Sequence, residues 1–151
     1  MRKGEAIKNR TIRLFIWNVL FPILLGGLFY YFFCPDVLFV MRLNKWFATR
    51  YYDSTPFLAN NFVLFIRNYF LDYVWAYSLC CSVCILNIEG GFALLKGIIV
   101  TGVLGAVLEI LQLVGIAKGT YDVWDILIEI IGAFTGALII NKFRRKQHEK
   151  D

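Results

Sequence analysis

Apolar residues in this chain gather into four long runs, the first set apart from the second by a long segment and the rest separated by short breaks, a length that suits helices rather than strands. The first run, residues 14–33, reads LFIWNVLFPILLGGLFYYFF and carries no charge. The second, residues 69–88, holds one charged side chain, Asp72. The third, residues 95–116, has Lys96 at its rim and Glu109 inside. The fourth, residues 122–140, contains Asp122, Asp125 and Glu129. A bilayer core takes roughly 20 apolar residues per helix, so each run predicts one transmembrane span. Residues 34–68 are not uniformly polar. Segment 37–50 mixes large apolar side chains with Arg42, Lys45 and Arg50, and segment 57–66 is apolar again after Pro56; both predict helices lying in the membrane interface. The expected fold is a single all-α membrane domain over residues 1–151, a four-helix transmembrane bundle with interfacial helices in its first outer loop.

Composition strengthens this picture. Of 151 residues, 59% are hydrophobic and 18% charged, with a mean hydropathy of +0.62. An ordinary soluble domain is about 45–50% apolar and about 25% charged. That excess excludes a disordered chain, a disulfide-stapled secreted module and a nucleic-acid-binding domain. The net charge of +5 reads instead as a topology signal. Arg2, Lys3, Lys8, Arg10, Arg13, Lys96, Lys142, Arg144, Arg145, Lys146 and Lys150 fall on one side of a four-span chain, and Arg42, Lys45, Arg50, Arg67 and Lys118 on the other. The positive-inside rule then predicts that both termini are cytoplasmic. The first span has no small-residue cleavage site after it and reads as a retained anchor.

Charged groups inside a bilayer are costly, at about 2.5–3.5 kcal/mol each on insertion scales, and normally face a bundle interior or a watery cavity. With both termini inside, Asp72 falls in the outer turn of span two. Glu109 and Gln112 fall near the outer end of span three, and Asp122, Asp125 and Glu129 at the outer end of span four. Positions 122, 125 and 129 lie on one helical stripe. The expected site is therefore an acidic pocket in the outer half of the membrane, lined by Asp72, Glu109, Gln112, Asp122, Asp125 and Glu129. Arg67 and Lys118 are the candidate counter-charges, in which case the carboxylates pair with them and hold helices in register. Asp122 also has the sequence context of an N-cap, following the turn signals of Gly115–Gly119 and Thr120.

Gly132 and Gly136 form a GxxxG in span four, and Gly102 and Gly105 lie on span three. Small residues let helices approach closely in lipid, so these glycines predict packing of spans three and four against each other. Cys80, Cys81 and Cys84 cluster in span two without a histidine nearby and suit packing as small apolar residues. The one histidine, His148, is in the basic tail; this removes HExxH zinc sites and Ser-His-Asp arrangements. No cofactor motif is present. Carboxylate ligands alone would suit magnesium, manganese or calcium.

Residues 109–136 read ExxQxxxxxxGTYDVWDxxxExxGxxxG, which resembles the VanZ-like family of small bacterial membrane proteins. Glu109, Gln112, Thr120, Asp122, Asp125, Gly132 and Gly136 match the family pattern, and the resemblance extends over roughly residues 69–140. The family arginine falls on Gly119, beside Lys118, and the family asparagine falls on Glu129, which makes this pocket more acidic. The resemblance implies a multi-pass protein of the bacterial inner membrane, in a family whose best-known member is associated with resistance to teicoplanin-type glycopeptide antibiotics. Three functions follow as expectations. The first is binding of an envelope lipid or amphiphilic compound in the outer pocket. The second is an enzyme acting on a lipid-linked substrate through Glu109, Asp125 and Glu129. The third is a small proton-coupled exporter, which needs a homo-oligomer to be large enough.

Overall fold

The computed structural model describes residues 2–34, 38–47, 61–88, 90–116 and 121–148. Among them it is all helical. Helix α1 (Arg2–Phe15) runs through a π-helical turn (Ile16–Leu20) into α2 (Phe21–Phe33); α3 (Leu38–Trp46), α4 (Asn61–Leu86), α5 (Ala93–Leu113) and α6 (Val123–His148) follow. Four stretches are long and apolar enough to cross a membrane: Asn9–Phe33, Phe62–Leu86, Ala93–Leu113 and Val123–Lys146. Large apolar side chains such as Leu24, Leu28, Val103, Ile110, Ile131 and Leu138 point outward and exposed, as lipid-facing surfaces do. The chain is a multi-pass membrane protein.

The π turn has a local cause. Pro22 has no N–H to offer the Asn18 carbonyl, and its ring crowds that carbonyl in a regular α-helix. One wider turn absorbs both problems: the Phe21 N–H bonds to the carbonyl of Ile16. The Asn18 side chain then donates to the Leu14 carbonyl at 2.9 Å and accepts from the Tyr77 hydroxyl at 2.9 Å, pinning the first span to α4.

Helix α4 is the hub and packs against all three other spans, while α5 and α6 also pack on each other. Gly26 lets α2 close on α4, where an added Cβ would lie 3.2 Å from Val74. Tyr31 donates to the Asn44 side chain at 2.7 Å and ties α3 to α2. Trp46 and Phe47 of that segment are exposed. Contacts set the directions: α4 and α6 run parallel, with α2 and α5 antiparallel to them. One end, where α4 and α6 begin, carries the carboxylates and is called the acidic end below; the other is the basic end.

Three expectations change. Residues 61–66 do not form a separate interfacial helix; they are the first turns of α4. Arg67 and Asn68 lower local hydropathy, but neither breaks a helix, and no Gly or Pro separates them from the run that follows. Asp72 consequently lies eleven residues into the helix rather than in its outermost turn. Gly132 and Gly136 do not pack α6 on α5. They meet α4, where an added Cβ would lie 2.7 Å from the Tyr73 carbonyl oxygen and 2.9 Å from that of Tyr77 respectively. Gly102 packs against nothing, with open space around it. Segment 57–60, Arg50, Lys118 and Thr120 lie outside the described residues.

Candidate functional site

The link between α5 and α6 builds the rim of the site. Gly115 adopts φ +73°, a conformation that costs glycine nothing. The Gly115 N–H bonds to the Gln112 carbonyl at 3.0 Å and the Ile116 N–H to that of Leu111 at 2.9 Å, the paired closure of a Schellman end. The chain returns at Asp122, whose Oδ1 accepts from the Trp124 N–H at 3.0 Å. Asp122 is thus the N-cap of α6. Its other oxygen, Oδ2, accepts from the Tyr69 hydroxyl of α4 at 3.0 Å. Its backbone N–H donates to Glu109 Oε2 of α5 at 3.3 Å. One residue joins the three helices at the acidic end.

Asp125 and Glu129 lie one and two turns beyond it on α6. Glu129 is only 5% exposed and Glu109 only 4%. The Glu129 carboxylate sits over Gly105 of α5, directly where a Cβ would stand; an alanine there would collide with Oε2. Asp72, Glu109 and Asp125 lie within electrostatic reach of Glu129. Asp72, Glu109 and Asp122 lie within reach of Asp125. Asp72 shares its face of α4 with Trp75, three residues on. The five carboxylates therefore converge from α4, α5 and α6.

Among the described residues, no Lys or Arg comes within 4.0 Å of any of them. Arg67 is close to Asp72 in sequence, but five helical residues turn it about 140° away. Gln112 lies half-buried on the flank of α5, 60° from the Glu109 column, and its side chain takes no part in the hydrogen bonds of the rim. Among the described residues, no three His, Cys, Asp or Glu side chains are arranged to hold a metal ion.

Three hydroxyl groups escape a reading of charges alone. Tyr69 closes on Asp122, and its position three residues before Asp72 on the same face is the signal that could have found it. Thr101 is fully buried, and its hydroxyl has no hydrogen-bond partner; the Ser78 hydroxyl of α4 is in the same state. Thr101 continues the column Ala93, Gly97, Thr101, Gly105, Glu109, every member of which is buried. A four-residue repeat of small residues ending in a carboxylate is its trace in the sequence. Below Thr101 the interior is packed with Cys80, Cys81 and Cys84, all fully buried and free.

Comparison with protein-family models, with curated proteins and with solved structures returns no match.

Proposed function

We propose that this membrane protein binds an envelope lipid or amphiphilic compound at the acidic end of α4, α5 and α6, in the manner of a VanZ-like protein. The observation that carries this reading is the convergence of Asp72, Glu109, Asp122, Asp125 and Glu129 without a basic partner among the described residues. Carboxylates that only held helices in register would be expected to meet lysines or arginines, because leaving a buried charge uncompensated is expensive. The excess of basic residues at the opposite end supports an orientation with the termini in the bacterial cytoplasm and the cluster toward the outer face. A consequence of binding there is altered susceptibility to glycopeptide antibiotics of the teicoplanin type.

Native mass spectrometry of the detergent-purified protein with bacterial polar lipid extract and with teicoplanin tests this reading. A retained adduct lost in Asp125→Asn and Glu129→Gln supports it. Adducts equal in wild type and both variants, or none at all, overturn it. Labelling of Asp125→Cys and Glu129→Cys by an impermeant maleimide from outside cells checks the orientation. A second reading, proton-coupled export, is favoured by one observation: the unpartnered Thr101 and Ser78 hydroxyls in the helix interior, where waters could continue a proton path. Proton uptake by vesicles on addition of a transported cation would favour it over binding alone.

A further inference from the structure

At the basic end a cleft opens between α1 and α6, far from the carboxylates. Arg10, Arg13, Leu14, Trp17, Asn18 and Phe143 line a cavity of about 280 Å³. Arg10, Arg13, Leu14 and Trp17 follow the i, i+3, i+4, i+7 spacing of one helix face, so a single stripe carries both guanidinium groups and the apolar wall beneath them. Neither arginine has a carboxylate within 4.0 Å among the described residues. The floor is fixed: Asn18 is buried, and its amide is engaged by Leu14 and Tyr77. The π turn carries Asn18 and Trp17 together, and such turns recur at functional sites. Trp17 remains 60% exposed, about 10 Å along the helix axis from Arg10.

This layering matches one class of ligand. Guanidinium groups bind phosphate through paired, charge-assisted hydrogen bonds. Leu14 and Trp17 offer apolar surface one to two turns beyond Arg10, and Phe143 walls the α6 side, where a free phosphate has nothing to contact. Two positive charges with no carboxylate beside them among the described residues favour a headgroup of net negative charge over one that brings its own ammonium. Basic pockets between transmembrane helices are recurrent sites for anionic headgroups. We propose that this cleft binds one anionic phospholipid, its phosphate held by Arg10 and Arg13 and its first methylenes lying against Leu14, Trp17 and Phe143.

The test is native mass spectrometry of the full chain with equimolar phosphatidylglycerol and phosphatidylcholine of identical acyl chains. Wild type is expected to retain one phosphatidylglycerol in preference to phosphatidylcholine. The Arg10→Gln/Arg13→Gln variant is expected to lose about twenty-five-fold in that preference, from about fivefold per arginine. Lys96→Gln, an exposed charge elsewhere on the chain, is expected to leave it unchanged. Equal retention of the two lipids by wild type overturns the proposal, as does an equal loss in Lys96→Gln, which would mean diffuse charge attraction. Displacement of the lipid by millimolar inorganic phosphate also overturns it, because the site would then be an anion site without a lipid component. A measurement that does not depend on the arginine variants folding uses vesicles containing brominated phosphatidylglycerol or brominated phosphatidylcholine. The difference in quenching between wild type and Trp17→Phe is expected to be larger with the brominated phosphatidylglycerol; equal differences count against the site.

Discussion

The three-helix unit α4–α6 is built on different rules in its two halves. From the level of Gly132 and Tyr73, near the middle of the helices and just past the carboxylates, toward the basic end, backbones touch. Gly132 and Gly136 bring α6 onto the carbonyls of Tyr73 and Tyr77, Gly97 brings α5 onto the Cys84 thiol and the Cys80 carbonyl, and Ala76, Ala133, Ala137 and Ile140 fill what is left. Toward the acidic end, side chains take the space between the helices. Gly105 faces the end of Glu129 rather than any backbone, and the buried groups are carboxylates. Glycine therefore has two distinct uses within one bundle: in one half it allows helices to meet, and in the other it makes room for a charged group between them.

Substitution at each glycine separates these uses. The largest effect is expected for Gly132→Val. Its new side chain would press on the Tyr73 carbonyl and the Tyr77 N–H, and neither backbone can retreat without opening the pair. Overpacking of this kind costs about 3 kcal/mol or more, read as loss of the monodisperse species and a lowered Tm in detergent. A wild-type Tm for Gly132→Val would break the comparison. Next comes Gly97→Ala, where the added methyl would lie 2.5 Å from Cys84 Sγ and 3.1 Å from the Cys80 carbonyl. A loss of about 1–3 kcal/mol is expected. Adding Cys84→Ala should recover part of it, since removing that sulfur leaves only the looser contacts with the Cys80 carbonyl and thiol, each at 3.1 Å; strictly additive losses would show that the two sites do not meet.

Asp122→Ala is expected to cost about 1 kcal/mol through loss of the α6 cap, with the Tyr69 hydroxyl left unpaired as well. Asp122→Asn should keep the cap and recover most of the stability, and chemical denaturation in mixed micelles would rank the three proteins. The smallest stability effect belongs to Gly105→Ala, within about 0.5 kcal/mol, because Glu129 is the flexible end of a side chain and can swing aside. The same variant should nonetheless lose the adduct proposed for the acidic end. A destabilised Gly105→Ala protein, or one that binds like wild type, would erase the distinction between the halves.

Much of this architecture is legible in the chain. Four apolar runs gave four spans, and antiparallel succession alone puts Glu109 level with Asp122 and Glu129. Three things were not legible, each for a geometric reason. Residues 61–68 look like an interface segment because hydropathy dips at Arg67, but backbone continuity depends on breakers, and there are none. GxxxG announces a flat face without naming the partner, and here the partner is α4. Proximity in sequence made Arg67 a natural counter-charge for Asp72, yet five residues on a helix point apart. Trp75 was hidden for the opposite reason: three residues later on α4, it shares the face of Asp72.

The π turn at Ile16–Leu20 also works as a phase shifter. It holds one residue more than a regular α turn would, so deleting a single residue within it would rotate everything N-terminal to it by about 100°. Asn18 could then no longer meet Tyr77 while Arg10 and Arg13 stayed beside Phe143. The register of about the first four turns of the chain, and with it the azimuth of the basic stripe, is thus set by a proline that lies on the other side of the turn.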